Sequence, residues 1–246
     1  MKNSIVKVAI VTGASRGIGK AIAIKLSASG YQVIVNYANN ATEAQLVVSQ
    51  IVQTGGEALA VQADVSKFQQ FENLFNIAEK TYGPVDVLIN TAGVSKLSPI
   101  ADSDDEMFDY LFNVNVRGTV NGLKLAAKRL KQGGRIVNFS STAVATSTPG
   151  MGLYVGTKAA VEAISKVFVK ELRGRQITVN MIAPGLIRSE MFFEGKTVEQ
   201  IVQMEKLSPL ERFGDVEEVA DAVAYLISED AGWVNGQLIR VNGGVA

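Results

Sequence analysis

The stretch Val6-Lys7-Val8-Ala9-Ile10-Val11-Thr12-Gly13-Ala14-Ser15-Arg16-Gly17-Ile18-Gly19 decides how the rest of the chain is read. Val6–Val11 is a short apolar, valine-rich run of the kind buried in a strand, and the glycines after it permit a tight turn with close backbone approach. Apolar Ile18, Ala21, Ile22 and Leu26 then fall at helical spacing. Strand, glycine turn and helix in that order leave the first helical N–H groups and the positive dipole end facing the turn, which suits a pyrophosphate. The segment Gly13-Ala14-Ser15-Arg16-Gly17 also matches the G-x-S-x-G elbow that presents a hydrolytic serine in the same strand–turn–helix setting. With no histidine in the chain, such a serine lacks its usual base, so the phosphate-binding reading is preferred.

Working outward, apolar runs recur at Val33–Val35, Ala58–Val61, Val85–Ile89, Ile136–Phe139, Ile177–Ile182 and Leu238–Val241. Helix-period segments lie between them, over residues 18–29, 41–54, 67–81, 104–130, 152–173 and 216–228. Nearly continuous apolar strands separated by helices require a parallel sheet covered on both faces. The expected fold is therefore α/β: a Rossmann-like, doubly wound parallel sheet of seven strands flanked by helices, one domain over residues 1–246. One stretch departs from the alternation. Residues 186–206, which include Met191-Phe192-Phe193 and Gly195, read as an inserted flap and a candidate substrate lid.

Composition narrows the function. Lys plus Arg and Asp plus Glu number 24 each, so there is no bulk basic excess for nucleic acid or an anionic membrane. The absence of cysteine and histidine removes disulfides, thiol nucleophiles and zinc sites built on imidazole or thiolate. No secretory signal pattern opens the chain and no run approaches the roughly 18 apolar residues of a membrane helix, so a cytoplasmic protein is expected.

A dinucleotide site that prefers an unphosphorylated ribose carries Asp or Glu about 20 residues beyond the glycines. Here Asn36-Tyr37-Ala38-Asn39 stands in that place, and Arg16 lies in the loop to meet a 2′-phosphate, which favours NADP(H). Tyr154 and Lys158 share one face near the start of a helix. A nearby ammonium favours the phenolate, so Lys158 is expected to bring the Tyr154 pKa down toward neutrality and fill the histidine vacancy. Ser141 lies just past the Ile136–Phe139 strand, where open α/β sheets place their ligand crevice, and Asn115 lies in the preceding helix.

Together these residues resemble the classical short-chain dehydrogenase/reductases over nearly the whole chain. The resemblance rests on Thr12-Gly13-x-x-x-Gly17-x-Gly19, Asp64-Val65, Asn90-x-Ala92-Gly93, Asn115, Ser141, Tyr154-x-x-x-Lys158 and Pro184-Gly185, in the family's order. It implies Tyr154 as proton donor to a carbonyl, Ser141 as its orienter, Lys158 holding the nicotinamide ribose and Asn115 supporting a proton relay. It further implies a cofactor site of Gly13, Ser15, Arg16, Gly17, Ile18, Gly19, Asn36, Tyr37 and Ala38, with Asp64 and Val65 at the adenine. Asn90, Ala92 and Gly93 would follow along the cofactor, and Pro184, Gly185, Ile187 and Ser189 would surround the nicotinamide. Thr91 replaces the second asparagine of the family's Asn-Asn-Ala-Gly, and Ser189 stands where threonine is common.

Within the family, Ser15-Arg16, Asn36-Tyr37-Ala38 and Trp233-Val234-Asn235-Gly236 are similar to the 3-oxoacyl-(acyl carrier protein) reductase group. The lid, with Val144 and Leu153 opposite and Arg188 at its root, implies a largely apolar pocket suited to an acyl chain or another hydrophobic ketone as the small-molecule carbonyl or alcohol substrate. Arg175 matches one carrier-docking arginine of that group, but Gln132 falls where another is expected, with Lys131 beside it. A general ketone, aldehyde or sugar-related reductase therefore competes with carrier-linked chemistry. A non-catalytic NADP(H)-binding regulator would carry a broken Tyr-Lys-Ser-Asn set. Asn242-Gly243-Gly244 resembles the family's terminal strand and implies a homo-oligomer, a tetramer foremost.

Overall fold

The apolar runs form strands β1 (Val8–Val11), β2 (Gln32–Tyr37), β3 (Glu57–Gln62), β4 (Val87–Asn90), β5 (Arg135–Phe139), β6 (Thr178–Pro184) and β7 (Leu238–Val241). The computed structural model describes residues 6–188 and 197–246; Ser189, Met191-Phe192-Phe193 and Gly195 lie outside the described residues. All seven strands pair in parallel in the order β3-β2-β1-β4-β5-β6-β7, in a single Rossmann-like domain. The register sets Val11 opposite both Val35 and Ile89, so β1 is flanked by apolar strands on each side.

Helices α1 (Gly17–Ala28), α2 (Ala41–Gln53), α3 (Phe68–Tyr82), α4 (Asp105–Leu111), α5 (Gly118–Arg129), α6 (Ala143–Thr146), α7 (Gly152–Glu171), α8 (Val198–Glu205) and α9 (Val216–Ile227) connect them. Their apolar stripes divide the core in two. Ile22 and Leu26 of α1, Val47 and Ile51 of α2, and Val219 and Val223 of α9 pack on one face of the sheet. Phe71 and Phe75 of α3, Leu123 and Ala126 of α5, and Phe168 of α7 pack on the other. Among the described residues no helix is long and apolar enough to cross a membrane.

Two boundaries moved for identifiable reasons. β4 starts at Val87 rather than Val85 because the buried Asp86 carboxylate accepts the Val8 N–H at 2.8 Å and pairs with Lys131 at 2.7 Å. The single helix expected over 104–130 is three segments: α4, a π-helical stretch over Phe112–Arg117, and α5. A π turn inserts one residue into an otherwise helical pattern, which apolar periodicity does not reveal. The sheet reverses its winding between β1 and β4, and a crevice for a ligand opens beyond the strand ends at such a point.

Candidate active site

The loops after β1 and β4 meet in that crevice. Thr12 Oγ1 donates to the Ile89 carbonyl at 3.2 Å and accepts the Ala92 N–H at 3.0 Å, so one hydroxyl ties the two loops together. Gly13 sits at φ 61°, and a Cβ there would lie 2.9 Å from the Ala92 Cα; both facts require glycine. Gly19 permits a second close approach, since its Cβ would fall 2.4 Å from the Gly13 carbonyl oxygen. Gly17, at φ 54°, has nothing within 4 Å of where a Cβ would lie, so space is open beside the start of α1.

Unlike α2 and α4, whose first turns are capped by Asn40 and Asp104, α1 has no side-chain cap and no acidic residue in its first turn. Its leading N–H groups and dipole therefore face open space, with exposed Arg16 at the N-cap and Ser15 and Ile18 beside it. These residues fit the pyrophosphate of a dinucleotide.

The Asn36 side chain is buried and turned inward. Its oxygen accepts the Gly13 N–H at 3.2 Å, and its amide donates to the carbonyls of Val61 at 3.3 Å and Ala63 at 3.0 Å. Asn36 thus holds the glycine loop on the end of β2, and Tyr37, Ala38 and Asn39 are the positions open to a ligand there. The Asn90 side chain is likewise buried, and its amide donates to Asn138 Oδ1 at 2.8 Å. Val65 packs against Gly118, and Asp64 Oδ1 accepts from the Ser66 N–H and hydroxyl at 2.9 and 2.7 Å. At the far wall, Gly185 lies against Asn242, and Ile187 is buried and bridged to Gly214. Pro184 ends β6 beside them.

Ser141, just past β5, comes together with Tyr154 and Lys158, which stand in the first turns of α7. The Ser141 side chain lies beside the Tyr154 phenol and favours its phenolate, and its oxygen accepts the Ala143 N–H at 3.2 Å. Lys158 Nζ donates to the Phe139 carbonyl at 3.0 Å and lies 5.9 Å from the Tyr154 ring centroid. Burial holds the Lys158 ammonium down to about 8.

The expected lowering of the Tyr154 pKa is overturned. Burial pushes the phenol above its ordinary value, with the Ser141 side chain pulling against it. Desolvation of the phenolate is the dominant effect, and the Lys158 ammonium points to the Phe139 carbonyl rather than to the phenol oxygen.

Asn115 sits in the π segment, buried. Its Oδ1 accepts the Val94 N–H at 2.8 Å, and its amide donates to the Val94 carbonyl at 2.9 Å and to Thr157 Oγ1 at 3.0 Å. Thr157, between the Tyr154 carbonyl and Asn115, was not singled out from sequence; a polar residue beside Lys158 on the inward face is its only signal. Gly93 is the meeting point. A Cβ there would stand 3.2 Å from Lys158 Nζ and 3.3 Å from Asn115 Oδ1. Across the mouth, the Ser98 N–H donates to the Gly150 carbonyl at 2.9 Å and Ile100 covers Gly152, giving an apolar rim near Leu153 and Val144.

The expected carrier-docking residues lie elsewhere. Arg175 donates to the carbonyls of Ala127 and Leu130 at 2.7 and 2.6 Å, and Gln132 donates to the Gly174 carbonyl at 3.1 Å. With Lys131 on Asp86, these groups fasten the rim where β5 begins, opposite the rim that carries Ser141 and Tyr154.

Comparison with known proteins agrees with this geometry. Residues 13–246 match the family profile described as enoyl-(acyl carrier protein) reductase. The chain is 44% identical over 252 residues to a chloroplastic NADPH-dependent aldehyde reductase-like protein of Arabidopsis thaliana, covering 97% of this chain and 93% of that one. It is 37% identical over 241 residues to the 3-oxoacyl-[acyl-carrier-protein] reductase of Staphylococcus aureus, covering 97% and 98%. An angucycline C-6 ketoreductase with bound NADP superposes with a TM-score of 0.91 at 35% identity, covering 98% of this chain and 96% of that one. The chain belongs to the short-chain dehydrogenase/reductase family of oxidoreductases.

Proposed function

We propose that the protein is an NADPH-dependent reductase of small apolar aldehydes and ketones. The observation that carries this reading is the half-buried Tyr154 phenol, set beside Ser141 and kept protonated by desolvation, at the crevice that also holds the glycine loop. NADPH bound along that loop would supply the hydride. Tyr154 acts as proton donor to the carbonyl oxygen, and Ser141 orients both. Lys158, fixed by the Phe139 carbonyl, holds the nicotinamide ribose, and Asn115 braces the loop through Val94. The absence of an acid over Asn36–Asn40, with exposed Arg16 nearby, supports a 2′-phosphate there.

The 37% identity to a 3-oxoacyl reductase supports a second reading, in which the substrate is a 3-oxoacyl thioester. Against carrier-linked delivery, Arg175 and Lys131 are committed to contacts on the far rim. The apolar rim and the 44% identity to an aldehyde reductase-like protein favour free carbonyl compounds. We read the chain as a cytoplasmic homotetramer, with the 97% exposed Trp233 close in sequence to edge strand β7 as one contact.

The test is NADPH consumption against NADH with acetoacetyl-CoA and a panel of aldehydes and ketones, with Tyr154→Phe as the blank. Tyr154-dependent turnover of free carbonyls with NADPH is expected. Turnover of the thioester alone would move the assignment to the second reading, and activity indifferent to Tyr154 would reject both.

A further inference from the structure

Asn138 lies in β5 at zero exposure, on the face where neighbouring Ile136 is core and an apolar side chain would be the inexpensive choice. Instead it stands in register opposite Asn90 and joins a directed chain of hydrogen bonds. The Asn90 amide donates to Asn138 Oδ1 at 2.8 Å, the Asn138 amide donates to Ser165 Oγ at 2.8 Å, and the Ser165 hydroxyl donates to the Val161 carbonyl at 2.7 Å. Every donor points toward α7. The site is shaped for this chain, since a Cβ on Gly122 would fall 2.7 Å from Asn90 Oδ1.

The chain continues into the catalytic cluster. Next to Asn138, the Phe139 carbonyl holds Lys158; next again, the Ser140 hydroxyl donates to Glu162 Oε1 at 2.5 Å; and Ser141 lies beside Tyr154. Four consecutive positions at the end of β5 therefore meet Ser165, Lys158, Glu162 and Tyr154 of one helix. Ser165 follows Lys158 by two turns, about 10 Å along the axis and on nearly the same face. Apolar packing resists a sliding helix only weakly, whereas a directed chain of buried hydrogen bonds favours one register.

We infer that Asn138 and Ser165 are positioning residues that fix the height and rotation of α7 on the sheet, and so place Lys158 Nζ and the Tyr154 hydroxyl for proton delivery. This inference rests on the reductase reading above. It assigns no contact with substrate to either residue.

The experiment uses the full chain with Ser165→Ala, which removes the acceptor for Asn138, and Ser165→Thr, which restores a hydroxyl. Ser165→Cys, nearly isosteric but weakly hydrogen-bonding, serves if the alanine variant does not fold. Expected for Ser165→Ala is a kcat about 10- to 100-fold lower with the carbonyl KM within about twofold, as for a displaced catalytic group. The limbs of its pH–rate profile move, and Ser165→Thr recovers most of the loss. A variant with lowered melting temperature but unchanged kcat and pH profile overturns the inference and leaves the network purely structural. A second readout needs no substrate: the Lys158 ε-carbon titration followed by NMR moves upward in Ser165→Ala as water reaches the ammonium, and an unmoved titration counts against the inference. Wild type without Tyr154-dependent turnover rejects the reductase reading, whereas a live wild type with an indifferent Ser165→Ala rejects only the positioning role.

Discussion

Lys158 Nζ donates to the Phe139 carbonyl at 3.0 Å with 5% of the residue exposed, so the chain holds an ammonium where water scarcely reaches. Burial brings its pKa from 10.5 to about 8, and the sign of the consequence follows. Between about 8 and 10.5 the unfolded chain keeps a proton that the folded chain has lost, so stability rises with pH through that window. Below about 8 the folded state bears the whole penalty, roughly 2–4 kcal/mol. Lys158→Met, which carries no charge to bury, should gain over wild type at pH 7 and lose that advantage by pH 10.5. Urea unfolding of both proteins across this range checks it; parallel stability curves would show that the ammonium is not desolvated.

Tyr154 responds in the opposite direction. Because burial raises its phenol above the ordinary value of 10.0, it is protonated throughout the neutral range and ready to donate. Carbonyl reduction should therefore keep a flat Tyr154-dependent rate through neutral pH and fall only at strongly alkaline pH, whereas alcohol oxidation, which needs the phenolate, should climb steadily with pH. Rate profiles in both directions with saturating cofactor test this. A reductive rate that declines already between pH 6 and 8 would place the phenol near neutrality and contradict the burial argument. Tyr154→Phe should cost roughly 10²-fold or more in either direction.

Arg175 offers a cleaner separation of substrate readings. Its guanidinium fastens the Ala127 and Leu130 carbonyls at the end of α5, so Arg175→Ala should destabilise the fold by about 1–3 kcal/mol. Turnover of acetoacetyl-CoA or of free aldehydes should stay within about twofold. A selective loss with a carrier-linked thioester, with free substrates unaffected, would return this arginine to a docking role.

The fold was legible because its signals are local. Seven apolar runs, the glycine loop before Ile18 and the Tyr154–Lys158 spacing each declare themselves within a few residues. What stayed hidden depends on partners far along the chain. Asn36 occupies the position of a ribose ligand, yet it is turned inward by Gly13, 23 residues away, and by Ala63, 27 away. Asn90 is claimed by Asn138, 48 residues on. The direction of the Tyr154 pKa was hidden because spacing places Lys158 on the same face but does not show how far the phenol is desolvated by distant parts of the chain.

Arg16 carries the last prediction. It caps α1 without making a side-chain cap bond, it is exposed, and no acid lies between Asn36 and Asn40 to compete for it. A charge-assisted contact to a 2′-phosphate contributes about 1.5–3 kcal/mol, a factor of roughly 10 to 100 in affinity. Arg16→Ala should therefore raise the NADPH KM by about that factor while leaving the NADH KM nearly unchanged, because the α1 N–H groups that meet the pyrophosphate remain. Equal losses with both cofactors would instead mean that Arg16 shapes the glycine loop, and the 2′-phosphate would then have to be met by backbone and side chains of Tyr37, Ala38 and Asn39.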